Sequence, residues 1–204
     1  MSDTIFLTIC IVVISLGVFI YNWRGRNKYM DDKMTSSLDE NLERVFIMEI
    51  KRQCTFALIA ADDIDLALDK KEMDRIWYSI QSFLVAAGNL SKMFWPTIKT
   101  KKARGLYLRS IFSLKNNSPI APRSFRNCFE HFDERLEEWI SSSKQKNFID
   151  SNVGPPGMIK GIDDKDYLRN FDNSNYALTY RGDSYSLKPV IEAIKDVNSV
   201  VVKL

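Results

Sequence analysis

Residues 125–140 read FRNCFEHFDERLEEWI and form the most strongly patterned helical segment of the chain. Their apolar positions recur at spacings of four and three, which is typical of an amphipathic helix with one face against a core. At roughly 100° per residue, Asn127 and His131 lie on the far side of such a helix, and Arg126 lies about 90° from the apolar stripe. The pattern predicts that His131 points away from the core. The apolar positions are Phe125, Phe129, Phe132, Leu136, Trp139 and Ile140.

The same spacing of apolar residues predicts three helices before this one. The first runs roughly over residues 38–69, the second is stopped by Pro96, and the third covers about 106–114. The helix that contains His131 runs from near Pro122 to about Ser142. Predicted core positions are Phe46, Ile50, Cys54, Ala57, Ala61, Ile64 and Leu68 in the first helix, and Ile76, Ile80, Phe83, Ala87, Leu90 and Phe94 in the second.

The last part of the chain has a different pattern. Residues 154–157 read GPPG, which predicts a loop. Residues 176–180 and 184–187 flank Arg181-Gly182-Asp183 and predict a β-hairpin, followed by a helix over about 190–197. The predicted fold class is therefore all-α, a four-helix up-down bundle preceded by a single transmembrane helix and followed by a small C-terminal β-hairpin plus helix.

The N-terminal part predicts a membrane anchor. Residues 5–23 contain about nineteen residues without a charge, enough for a helix to span a hydrocarbon core of roughly 30 Å. Cations follow this stretch and Asp3 precedes it, so we expect a single-pass protein of the cell inner membrane with a cytoplasmic C-terminal domain. The expected organisation is an anchor over 1–23, a linker over 24–37, the bundle over 38–146, and the C-terminal region over 147–204.

Composition and cysteine spacing exclude several kinds of site. The chain has 204 residues, of which 45% are hydrophobic and 27% charged, with a single histidine. Cys10, Cys54 and Cys128 lie at unrelated spacings, which predicts neither a disulfide framework nor a zinc site. No cofactor is implied. Three carboxylates near the end of the first helix share a face, and we weigh a divalent-metal site there against a solvated acidic face; they are Asp62, Asp65 and Asp69.

Positive charge is concentrated just before the helix that contains His131. The net charge of the chain is only +3, but no acidic residue lies between Pro96 and Phe129. Such a concentration is typical of a surface that binds a polyanion, and we favour RNA over a solvated basic face or a segment resting on anionic lipid. The candidate RNA-binding residues are Lys99, Lys101, Lys102, Arg104, Arg109 and Arg123.

Arg126 and His131 suggest the chemistry. Histidine can take and give a proton near neutral pH, and arginine can hold a phosphate by two parallel hydrogen bonds. The segment Arg126-Asn127-Cys128-Phe129-Glu130-His131 resembles the signature of HEPN domains, in which an arginine, often followed by a polar residue such as asparagine, precedes a histidine by four to six positions. The resemblance covers roughly residues 38–146.

The resemblance implies a metal-independent endoribonuclease that acts as a homodimer, of a kind that recurs in toxin-antitoxin and anti-phage systems. His131 would act as general base or acid, Arg126 would stabilise the phosphorane, and Asn127 would position the phosphate. The products would end in a 2′,3′-cyclic phosphate. The alternative is a non-catalytic helical module that binds nucleotides or a regulatory protein partner.

Overall fold

Two long antiparallel helices, α1 (Glu40–Lys70) and α2 (Met73–Phe94), form the centre of the molecule. The computed structural model describes residues 38–144, 146–155 and 157–204, apart from the side chains of Phe125, Arg126 and Cys128. Asp39 begins α1, because its carboxylate accepts the backbone N–H groups of Asn41 and Leu42 at 3.1 and 3.2 Å. The helix ends where the backbone enters the left-handed region at Lys71.

The predicted apolar faces of α1 and α2 are confirmed. Ile50, Cys54, Ala57, Ala61 and Ile64 of α1 are buried, and so are all six predicted core positions of α2. Phe46 and Leu68 are partly buried at the edge of the same cluster. Burial in this core raises the pKa of the Cys54 thiol to about 12.

Polar contacts tie the two helices together along their length. Arg75 of α2 donates to both carboxylate oxygens of Asp63 on α1, and the Ser79 hydroxyl donates to the same carboxylate at 2.9 Å. These hydrogen bonds hold the pKa of Asp63 below its usual range. Further along, the Asn89 side-chain amide donates to Gln53 at 3.2 Å. The contacts fix the register of α2 against α1.

Three shorter helices follow: α3 (Lys102–Ile111), α4 (Ser124–Glu130) and α5 (Phe132–Ser142). A short 3-10 turn over Lys99–Lys101 precedes α3. Phe112, at the end of α3, packs edge-on against Phe94 with ring centroids 5.3 Å apart. The single helix predicted from Pro122 to Ser142 is wrong, since it is divided at His131.

The rest of the described chain forms a mixed sheet and a final helix. The strands are β1 (Asn152–Val153), β2 (Arg169–Asp172), β3 (Ala177–Tyr180) and β4 (Asp183–Ser186), in that spatial order. β1 pairs with β2 in parallel, and the other pairs are antiparallel. The predicted hairpin is present as β3 and β4, and α6 (Lys188–Val201) follows it with Pro189 in its first turn.

The predicted all-α fold is wrong. The chain combines helices with a four-stranded mixed sheet that belongs to the same core, because Leu168, Phe171 and Leu178 are buried in one cluster with residues of α1 and α2. β2 escaped the pattern analysis because three of its four residues are polar. Their polar groups are satisfied inside the fold; for example, Asn152 donates to the Asn170 side-chain oxygen at 2.5 Å.

The predicted membrane anchor, residues 5–23, lies outside the described residues. In the ranges that the structure describes, no helix is both long enough and apolar enough to cross a bilayer. The longest, α1, contains eleven charged residues in its sequence. The described part of the chain therefore gives no support to our prediction of a single-pass inner-membrane protein with a cytoplasmic C-terminal domain.

We expect Gly105→Ala to lower the free energy of unfolding by about 1–3 kcal/mol, because α3 crosses the end of α2 where the added methyl group has no room. A Cβ atom at this position would lie 2.6 Å from the Phe94 carbonyl oxygen and 3.0 Å from Cγ of Pro96. Chemical denaturation measures the change. Ser110→Ala, an exposed position of the same helix, is the control and should change stability by less than about 0.5 kcal/mol.

Candidate functional site

His131 occupies the break between α4 and α5. Its backbone angles, φ −102° and ψ 44°, lie outside the helical region. Its N–H still donates to the Asn127 carbonyl at 3.0 Å, and its own carbonyl accepts the N–H of Arg135 at 3.2 Å. The residue therefore caps both helices, and its side chain emerges at the corner between them.

Packing of two aromatic rings accounts for this break, since the local sequence contains neither proline nor glycine. The guanidinium group of Arg169, on β2, lies 5.9 Å from the Phe129 ring centroid and 4.7 Å from that of Phe132. Arg169 is itself held by a two-pronged ion pair with Asp150. Because the two rings lie on either side of His131, their contacts with the sheet set the angle at which α4 and α5 meet.

The His131 ring is exposed and has a carboxylate beside it. Its side chain is 59% exposed, and its Nδ1 atom lies 3.6 Å from a carboxylate oxygen of Glu134. Asn127, one turn earlier, is also exposed. The arrangement provides a base and a neutral hydrogen-bonding group on one surface.

Arg126 precedes Asn127 in the backbone of α4. Its side chain lies outside the part of the chain that the structure describes, so its predicted role rests on the resemblance alone.

The predicted RNA-binding cations divide into two groups. Lys99, Lys101 and Lys102 are exposed on the 3-10 turn and the start of α3. Arg104 lies over the Phe46 ring, 4.6 Å from its centroid, and Arg109 lies 5.3 Å from the centroid of Trp95. Burial lowers the pKa of both guanidinium groups. The two arginines stabilise the fold, whereas the lysines are available to a ligand.

Two further cations lie at opposite ends of α4, and only the second lies at the end that contains His131. Arg123, half-buried, precedes α4, and its carbonyl accepts the N–H of Asn127 at 3.2 Å. Lys92, near the end of α2, lies 4.0 Å from the carboxylate of Glu130. Sequence reasoning missed Lys92, because a helical pattern does not reveal which tertiary neighbour a surface lysine meets.

The acidic cluster on α1 faces α6. Asp62 and Asp65 line a cleft with Lys195. Burial, followed by the charges of Asp62 and Asp69, raises the pKa of Asp65, and Lys195 opposes this shift. Within the described residues no group of three or more histidine, cysteine, aspartate or glutamate side chains could hold a metal ion. The contact that the structure shows for this cluster is the one with Lys195 of α6.

Comparison with known proteins found no match to this chain among family models, curated proteins or solved structures.

The two groups of cations predict different mutational effects. Arg109→Ala should lower the free energy of unfolding by about 1–3 kcal/mol, because its guanidinium donates to the Phe94 carbonyl and covers Trp95. Lys101→Ala should change stability by less than about 0.5 kcal/mol, because its side chain is exposed. Urea denaturation of both variants measures the contrast. Equal stability losses would contradict the division.

Proposed function

We propose that this protein is a metal-independent endoribonuclease that acts as a homodimer and uses His131 as its acid–base group. The observation that supports this best is the exposed imidazole at the α4–α5 corner with the Glu134 carboxylate 3.6 Å from its Nδ1 atom. A general base needs access to substrate, which the exposed ring has, and Glu134 is the carboxylate that would orient it. The resemblance of residues 126–131 to the HEPN signature supports the same assignment.

The proposed reaction is cleavage by the ribose 2′-hydroxyl. Nε2 of His131 takes the 2′-hydroxyl proton as the 2′-oxygen attacks the adjacent phosphorus. Arg126 would stabilise the charge of the five-coordinate intermediate, and Asn127 would donate a hydrogen bond to a phosphate oxygen. The bond from phosphorus to the 5′-oxygen then breaks, and the leaving oxygen takes the proton held on His131. The products are a 2′,3′-cyclic phosphate and a 5′-hydroxyl.

Cations of the segment that precedes α4 would bind the RNA backbone. Lys99, Lys101 and Lys102 offer three charges without a competing carboxylate in their segment, and Arg123 lies at the start of α4. Contacts of this kind depend on phosphate charge, so affinity should fall steeply with salt concentration. They give affinity for RNA without defining a base sequence.

A non-catalytic interaction module is the second candidate function. The face formed by α1 and α2 favours it, because several large apolar side chains are exposed there. On this alternative, His131 would contribute to binding of a protein partner or have no role.

Cleavage by the full chain tests the proposal. We expect the purified protein to cleave RNA in EDTA and to leave 2′,3′-cyclic phosphate ends, mapped by end-specific ligation and sequencing. His131→Ala and Arg126→Ala should each lower the rate by at least about a hundredfold, since general acid–base catalysis contributes 10²–10⁴-fold. Added imidazole should restore part of the activity of His131→Ala, because it replaces the missing base.

Glu137→Ala removes an exposed carboxylate from α5 and is the matched control, with an expected rate close to that of the wild type. Cleavage that persists in His131→Ala, or that requires a divalent metal, would contradict the proposal. Full RNA binding without cleavage by the folded protein would favour the interaction module.

A further inference from the structure

Helix α1 has a second apolar stripe in addition to the one that faces the core. Its members recur at spacings of three and four along the exposed side of the helix, interrupted by two charged residues, Arg52 and Asp63. Ile59 is 61% exposed and Phe56 is 52% exposed. An isolated exposed leucine or valine needs no explanation, but several large apolar side chains along one face of a helix mark a contact surface. The apolar members are Val45, Met48, Phe56, Ile59 and Leu66.

Helix α2 extends this surface. Tyr78, 71% exposed, and Val85, nearly half exposed, project beside Phe56 and Ile59. These four side chains, two from each helix, line an open groove of about 620 Å³ between α1 and α2. We call the seven apolar side chains and this groove the hairpin face. These side chains are exposed in the described part of the chain.

The polar groups at the base of the groove bond to one another. Asn89 donates to Gln53, and Gln53 donates to Glu49 at 2.7 Å. Ser79 donates to Asp63 at 2.9 Å. Because these groups are already satisfied, a partner can cover the groove with apolar side chains without leaving a buried polar group unpaired.

The size of the hairpin face fits a dimer. Seven roughly half-exposed side chains offer on the order of 500 Å² of apolar surface. A standard interface buries about 800 Å² on each partner, of which about 65% is apolar in homodimers. The available apolar surface is close to that requirement.

We infer that the hairpin face binds a second copy of this chain, with the two α1 helices antiparallel about a two-fold axis midway between Phe56 and Ile59. In this arrangement Phe56 of each copy packs on Ile59 of the other. Arg52 of each copy, which pairs with Glu49 of its own chain through one nitrogen, meets Asp63 of the other copy through its remaining donors, so both charged interruptions of the stripe are matched. The carboxylate of Asp63 can accept this further bond in addition to those from Arg75 and Ser79.

Charge argues against nucleic acid on this face. Glu49, Asp63 and Glu72 lie along it, and the cations nearest to them, Arg52 and Arg75, already form ion pairs with these carboxylates. An apolar surface whose charges are carboxylates and already paired cations does not attract phosphate, whereas a second copy of the chain can cover it. This dimer rests on the homodimer of the proposed function but does not require catalysis.

Sedimentation equilibrium of the full chain tests this dimer. We expect the wild type to dimerise at micromolar concentration, and Ile59→Glu to raise the dimer dissociation constant by at least about thirtyfold, because it places an unpaired charge at the centre of the contact. Ile140→Glu, on α5, is the matched control and should leave the constant unchanged. That isoleucine is 51% exposed and lies off the hairpin face.

A pair of double variants tests the antiparallel orientation. Phe56→Lys with Ile59→Glu should recover dimerisation, since opposite charges then meet twice across the axis. Phe56→Lys with Ile59→Lys should stay monomeric. A monomeric wild type would overturn the inference, and so would a dimer that Ile59→Glu leaves unchanged. If the helices were parallel, Phe56→Lys with Ile59→Glu would stay monomeric, which would overturn the antiparallel orientation. These outcomes concern association alone, so they are distinguishable from a failure to cleave RNA.

Discussion

The contact between α1 and α2 is the constraint on which the rest of the structure depends. Their buried faces supply most of the large core side chains, and the Asp63–Arg75–Ser79 cluster fixes the register of one helix on the other. Other elements then pack on part of the surface of this helical pair. α4, α5 and the sheet pack on one side, α6 packs along α1, and the hairpin face remains exposed.

The sheet has a direct effect on the candidate site. Arg169 lies on β2, and its guanidinium contacts the rings of Phe129 and Phe132 on either side of His131. Asp150 holds the same side chain by an ion pair, so Arg169 connects the sheet to the corner between α4 and α5. The corner therefore depends on residues distant in sequence from the motif.

Local pattern was sufficient for the two long helices and the C-terminal hairpin. Their apolar positions repeat with helical or alternating periods, and Pro96 and the Arg181-Gly182-Asp183 turn mark two of the boundaries. Pattern failed for β2 and for the break at His131, because both are set by tertiary contacts of polar residues. It also could not distinguish Arg104 and Arg109, which cover aromatic rings, from the exposed lysines beside them. The second stripe of α1 was visible in the sequence as a repeat of apolar residues, but exposure is needed to separate it from the core stripe.

The central claim is that the exposed corner at His131 is where RNA binds. The chain contains one histidine, so its imidazole gives a single, unambiguous NMR signal. The most direct measurement is a titration of the full chain with a 2′-O-methyl RNA oligonucleotide, which binds but lacks the 2′-hydroxyl required for cleavage. The account predicts that the His131 signal shifts in proportion to the bound fraction. A signal that stays unchanged when the protein is saturated with RNA would contradict it.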